Sequence, residues 1–452
     1  MKYLFCCEFY FPSVGGVQEV MKQVAERLIQ RGHEVTVATT KISNRNFTEL
    51  NGVKIREFNC SGNIANGLNG ELKKYQEFIL SYVCDAILIK AAEQWTFDAL
   101  WEIIDNIKVD KYFIPCGFLS FYDPIYIDYY KNLPNILKKF KKLIFYSNNY
   151  RDINFIKANG IETNLVISNA ASELEFSDVI ERNIFRARYN IPSNSFLIFT
   201  VGSLTGAKGH KELCEALLLL EKSDLNITLV LNGNNPYLAN ADLDNMLSIK
   251  EKDSVFAKLI ERITFILINW KKVISVAVAS KGKFSILIKN YKKTKLLIEV
   301  SKLTPANIVE NLVKKINSNN GNIKAVLLNL SRSELIEAYF SADLFVLASH
   351  VEYSPLVLFE ACAAGLPFLS TPVGNVDELR DWFQGGYITP GTKDDKGFIS
   401  VKPQDLANSI HEIILKKDEL KEMGKKMRSN WQKYYGWNNV TSKYEDFLSG
   451  KI

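Results

Sequence analysis

The chain has 452 residues, 47% hydrophobic and 23% charged, which suits a soluble globular protein with room for two or three domains. Its net charge of +6 is modest, so the distribution of charge says more than the sum. Seven cysteines with no paired CxxC spacing exclude a disulfide scaffold and read as reduced thiols in the cytoplasm.

The chain opens on KYLFCCEFYF, read as a first strand in which Cys6 and Cys7 face opposite ways. Glu8 breaks the apolar run, and no small-residue cleavage site follows, which argues against a signal peptide. No window approaches the roughly 18 uninterrupted apolar residues of a spanning helix. A Gly15-Gly16 loop, a helical VQEVMKQVAERLIQRG and the strand EVTVATT come next. GVKIREFN, AILIKA, YFIPCG, KLIFYS and NLVISN are further strands, most separated by helical stretches. This alternation predicts a mainly parallel sheet with helices on both faces over residues 1–180.

A second alternating series begins near Glu181: strand FLIFTVGS, helix KGHKELCEALLLLEK, strand NITLVLNG. It resumes with KAVLLNL, helix SRSELIEAYFSA and strand LFVLAS. Between the two parts, residues 236–322 read as an inserted subdomain that includes DSVFAKLIERITFILINW and PANIVENLVKKI. A second domain over 181–430 follows, and residues 431–452 read as a last helix returning to the first domain. Two doubly wound halves place a ligand between them, at the carboxyl ends of the strands.

The stretch His350–Leu379 is the most informative. Ser354 reads as an N-cap and Pro355 as the first helical position, and the helix stops at Gly365 with Pro367 beyond. Such a helix N-terminus holds anions through its free N–H groups. Glu352 lies in the loop before it, in reach of a ligand's hydroxyls. Glu360 lies on its second turn between Phe359 and Ala361, where a buried carboxylate needs donors such as those of a diol.

E-x7-E followed by A-x-A-x-G-x-P-x-x-x-T-x-V-G-x-x-x-E resembles the donor-site signature of family 4 retaining glycosyltransferases, which have the GT-B fold. FYFPSVGGVQE, RGHEVTV, VISNAASELEF and GSLTGAKGHKEL resemble other segments of that family, in its order. The resemblance implies an α/β GT-B fold with two Rossmann-like domains facing across a cleft. It also implies a nucleotide-sugar donor held mainly by the second domain and an acceptor held by the first.

Residue by residue, the resemblance assigns Lys208 to the donor diphosphate, together with the N–H groups of Leu356 and Val357 behind Ser354. It assigns Glu360 to the ribose, Glu352 to the donor sugar, and Gly15 and Gly16 to close backbone approach. Ser203 stands where relatives carry Arg, and the region of Cys116 where many carry His. Catalysis then rests on positioning and on charge at the leaving diphosphate, with no bound metal or other cofactor required. His33, His210, His350 and His411 are scattered, and His210 reads as a helix-surface residue.

Two acid-free stretches, Arg262–Ile298 and Tyr129–Arg151, mix lysines with apolar residues as surfaces for anionic membranes do. They predict peripheral docking on the inner membrane face, near a glycan or a polyprenyl or other lipid-linked acceptor. No nucleic-acid recognition motif is present. The expected activity is sugar transfer in the assembly of cell-surface polysaccharide such as lipopolysaccharide or capsule. An epimerase-like enzyme acting on the nucleotide sugar alone, or a silent sugar-nucleotide-binding module, are the alternatives. A dinucleotide oxidoreductase is disfavoured because neither domain's first loop carries G-x-G-x-x-G.

Overall fold

The computed structural model describes residues 1–162, 164–234 and 304–451. The first sheet contains β1 (Lys2–Cys6), β2 (Glu34–Thr40), β3 (Glu49–Leu50) and β4 (Val53–Phe58). A small hairpin of β5 (Cys60–Asn63) and β6 (Gly67–Gly70) follows. The sheet then continues with β7 (Ala86–Lys90), β8 (Asp110–Ile114), β9 (Lys142–Phe145) and β10 (Asn164–Val166). Its order is β10-β9-β8-β7-β1-β2-β4-β3, parallel except for the β3–β4 edge. Strand order therefore reverses between β1 and β7.

The first strand is shorter than its sequence suggests. It ends at Cys6, and Glu8 to Phe11 belong to the loop beyond. Within it the alternation is strict. Leu4 and Cys6 enter the core on one face and Tyr3 and Phe5 the core on the other, where Cys7, just past the strand, joins them. All seven cysteines are free.

The second sheet contains β11 (Phe196–Val201), β12 (Ile227–Asn232), β13 (Ile323–Leu328), β14 (Leu344–Leu347), β15 (Phe368–Ser370) and β16 (Tyr387–Ile388). Its order is β13-β12-β11-β14-β15-β16, all parallel, with the reversal between β11 and β14. A hairpin of β17 (Thr392–Lys393) and β18 (Ile399–Ser400), not foreseen from the sequence, hangs beyond it.

The insertion is bounded differently from the expectation. PANIVENLVKKI lies in the helix Pro305–Ser318, which starts at a Thr304 cap and buries Ala306, Val309 and Ile316. Those residues pack with Leu213, Leu217 and Leu229 in the core of the second domain. Parallel β12 and β13 need a crossover between them, and this helix supplies it. The other insertion segments, including DSVFAKLIERITFILINW and Arg262–Ile298, lie outside the described residues.

The C-terminal helices divide between the domains. Lys417–Tyr434 packs on Leu356–Ala364, and Trp437–Leu448 packs on the first helix, Gly16–Gln30. Trp437, Val440, Tyr444 and Phe447 complete the first domain's core. Arg31 Nη1 meets Glu445 at 2.7 Å, and His33 Nε2 meets the same carboxylate at 2.9 Å. The chain therefore passes between domains twice, and the two crossings touch: Ala171 and Gly436 form a parallel bridge, and Ala171 N donates to Tyr435 O at 3.2 Å.

Candidate active site

Both strand-order reversals leave a crevice at the strands' carboxyl ends, and the loops that carry the predicted residues arise there. In the second domain they are the loops after β11 and β14. Gly209 fixes the first of them. It is left-handed (φ 67°), and a Cβ on it would lie 1.8 Å from Ala348 O, so only glycine lets the two loops touch. His350 N donates to Ala207 O at 2.8 Å and closes the contact.

Lys208, just before Gly209, lays its stem on Gly202 and places Nζ 2.6 Å from Glu352 Oε1. The two residues assigned to diphosphate and sugar thus meet as an ion pair across 144 positions of sequence. Ser203 sits in the same loop, partly buried. His210 corrects an expectation. It is buried, not on the helix surface, because its Nε2 donates to Gly202 O at 3.0 Å beneath the loop. Burial lowers its pKa, which keeps the ring neutral.

The helix after β14 spans Leu356–Ala364 and stops at left-handed Gly365, as its sequence suggests. Ser354 does not cap it. The residue before the first helical position is Pro355, and no side-chain cap forms. The backbone of Ser354 is drawn instead toward the first domain, where Asn169 Nδ2 donates to Ser354 O at 2.9 Å. Its Oγ is left without a partner among the described residues. The N–H groups of Leu356 and Val357 have no partner within the helix, while that of Leu358 donates to Pro355 O at 3.1 Å.

Facing this N-terminus is that of Gly16–Gln30. A methyl placed on Gly16 would lie 3.6 Å from Leu356 Cδ1, so the glycine loop and this helix adjoin. Gly15 is extended (φ 171°), so no left-handed turn demands glycine here.

Glu360 differs from the expectation in one respect. Its carboxylate meets Arg332 Nη2 at 2.6 Å, and the same guanidinium meets Glu175 at 2.7 Å. The donor side chain beside it is thus a residue not singled out from the sequence. A signal was present: Arg332 opens the helix Arg332–Ser341, where a cation opposes the helix dipole.

The domains are clasped beside the site. Tyr150 Oη donates to Glu352 O at 2.7 Å, and Tyr146 N donates to Tyr353 Oη at 3.0 Å. Glu378 accepts from Ser147 Oγ, from Asn148 N at 3.0 Å and from Asn148 Nδ2 at 2.8 Å. Asn375 Nδ2 donates to Tyr146 O at 2.8 Å.

On the first domain's strand edge, Cys116 is left-handed (φ 63°), and burial raises its thiol pKa to about 11, so it stays protonated at neutral pH. Lys90 ends β7 almost fully buried and donates to Tyr146 Oη at 2.8 Å, with burial lowering its pKa to about 8. Two lysines of Tyr129–Arg151 lie elsewhere. Lys139 pairs with Asp105 at 2.8 Å and Lys141 with Asp110 at 2.6 Å, at the amino ends of β8 and β9. That edge is opposite the crevice. Among the described residues there is no cluster of three or more potential metal ligands and no helix long and apolar enough to cross a membrane.

Two parallel-sheet domains with their strand ends facing one another, and a helix N-terminus between them, make up the GT-B fold. Residues 309–430 match the family described as glycosyl transferases group 1. Solved structures agree over the whole length. Sucrose-phosphate synthase from Thermosynechococcus elongatus aligns with TM-score 0.68 at 14% identity, over 99% of this chain and 98% of that one. HepE from Anabaena, in complex with UDP and glucose, aligns with TM-score 0.65 at 15% identity over all of both chains. WaaG, a glycosyltransferase involved in lipopolysaccharide biosynthesis, aligns with TM-score 0.60 at 17% identity, over 99% of this chain and all of that one. At such identities the likeness is one of fold. The sulfoquinovosyl transferase SQD2 of Arabidopsis thaliana is 30% identical over 117 residues, which are 25% of this chain and 21% of that protein.

Proposed function

We propose that the chain is a retaining glycosyltransferase that moves a sugar from a nucleotide-sugar donor to a glycan or lipid-linked acceptor. The observation that carries this reading is the meeting of Lys208 and Glu352 in front of the Leu356–Ala364 N-terminus, opposite Gly16. A cation and a row of free N–H groups suit a diphosphate, and an adjacent carboxylate suits the hydroxyls of the sugar it carries.

In this reading the donor's phosphates displace Glu352 from Lys208 and free the carboxylate for the sugar. The bond between the sugar's anomeric carbon and the diphosphate breaks as the acceptor hydroxyl adds on the same face. Its proton passes to the departing diphosphate, whose charge Lys208 and the helix N-terminus stabilise. Glu360 turns from Arg332 to the ribose hydroxyls. The scheme asks for no metal, because the diphosphate's charge is met by the protein. Assembly of cell-surface polysaccharide at the cytoplasmic membrane face is the proposed context. Docking there rests on Arg262–Ile298 more than on the partly paired lysines of Tyr129–Arg151.

The test is incubation with a panel of nucleotide sugars, with and without glycan and polyprenyl-linked acceptors, reading nucleotide release. Release that depends on acceptor and yields a product of unchanged anomeric configuration is expected. Isomerised donor would favour an epimerase, and binding without turnover a silent module.

A further inference from the structure

The acceptor half of the crevice has its own reversal of strand order, between β1 and β7, and Glu8 lies there. Its backbone is tightly held. Glu8 O accepts from Thr39 Oγ1 and from Thr40 N, both at 3.0 Å. The loop beyond is clamped by buried Arg45, which donates to Tyr10 O at 2.9 Å, Phe11 O at 2.8 Å and Thr40 O at 3.0 Å while pairing with Glu57.

The side chain of Glu8 is different. It is partly buried, yet its carboxylate has no hydrogen bond or ion pair among the described residues. Other carboxylates of this region and of the donor site are all engaged. Asp98 accepts from Tyr129 Oη at 2.8 Å, Glu93 from Tyr130 Oη, Asp152 from Gly117 N at 2.9 Å and Glu352 from Lys208. Burial alone raises the Glu8 pKa to about 7. A rigid, half-desolvated carboxylate without a partner is costly, and a ligand that donates hydrogen bonds relieves the cost.

Its surroundings indicate which ligand. Phe9, next in the chain, is 39% exposed and leaves an aromatic ring open to a ligand in the same loop. That pairing matches a pyranose, whose C–H face is apolar and whose adjacent hydroxyls donate to both oxygens of one carboxylate. The neighbouring strand ends carry left-handed backbone at Ala91 (φ 74°), Glu93 (φ 63°), Cys116 (φ 63°) and Phe118 (φ 50°), strain of the kind that gathers at functional edges.

We propose that Glu8 is an acceptor-binding residue, whose carboxylate takes hydrogen bonds from adjacent hydroxyls of the acceptor sugar at the β1/β7 crevice. The proposal rests on the glycosyltransferase reading and supplies the first-domain residue that reading lacks.

The experiment uses the full chain and saturation-transfer NMR with methyl glycosides of glucose, galactose, mannose and N-acetylglucosamine, each with and without UDP. At least one glycoside is expected to bind the wild type. Glu8→Gln is expected to weaken that glycoside roughly tenfold or more while leaving UDP affinity unchanged, and Glu8→Asp to recover part of the loss. Equal glycoside binding by wild type and Glu8→Gln overturns the proposal, as does failure of every glycoside to bind the wild type. Failure of UDP to bind counts against the donor site instead, and the arm without UDP still tests Glu8 by itself.

Discussion

Replacing Glu360 with alanine separates two roles that the structure superimposes on one carboxylate. As a partner of Arg332, Glu360 contributes little to stability. The guanidinium is 43% exposed and keeps its 2.7 Å contact with Glu175, so no charge is stranded. The expected loss is about 1 kcal/mol. As a ribose ligand, Glu360 would accept from two hydroxyls, and bonds to a charged acceptor are worth roughly 1.5–3 kcal/mol each. Part of that gain is spent in releasing Arg332. The net is about 1.5–3 kcal/mol, or roughly 10- to 100-fold in affinity. Titration calorimetry with UDP and urea unfolding on the same preparations read the two quantities. Unchanged UDP affinity alongside the small stability loss would refute the ribose assignment and leave Glu360 as the anchor of Arg332.

Glu378→Ala removes the carboxylate that gathers Ser147 and Asn148 across the domain boundary. It should loosen the clasp by about 1–2 kcal/mol, seen as a larger radius of gyration by small-angle scattering; an unchanged radius would mean that the neighbouring contacts suffice. Gly209→Ala drives a Cβ to 1.8 Å from Ala348 O at φ 67°, and should cost about 3 kcal/mol or more in urea unfolding while lowering donor affinity.

Glu8→Gln should raise stability above pH 7. The folded-state pKa of about 7 lies above the usual carboxylate value, so the folded chain binds the extra proton. Glu8 therefore lowers stability progressively as pH rises from about 4.5 to 7, and the penalty persists above that range. Discounted for the solvent that reaches it, the gain is about 1–2 kcal/mol at pH 8 and vanishes near pH 4, measurable by urea unfolding at the two pH values. A variant no more stable than wild type at pH 8 would mean that water already satisfies the carboxylate.

The parallel sheets were legible because each strand is a short apolar run ended by glycine or polar residues, and because helical spacing separates the runs. The helix stop at Gly365 was legible for the same local reason. What depended on distant partners was not. Nothing near Ser354 announces that Asn169 holds its carbonyl, and this contact belongs to the domain interface rather than to a cap. His210 read as a helix-surface residue, whereas it is buried with its Nε2 on the carbonyl of Gly202, eight residues back in the chain. PANIVENLVKKI was assigned by its position after a long interruption, although its apolar positions already described a helix with one covered face. Glu8 was visible only as a break in an apolar run; that it lacks a partner could be learned only once every neighbour had been placed.

The two crossings between domains lie side by side, joined where Ala171 meets Gly436. A single linker would let the domains swing and twist freely. Two adjacent linkers behave as paired pins. They leave rotation about the line through them as the soft motion and resist the twist that would slide one set of strand ends past the other. The tail helix Trp437–Leu448 is thus also a guide rail: by seating in the first domain's core, it confines the separation of Lys208 from Glu8 to one arc of opening and closing.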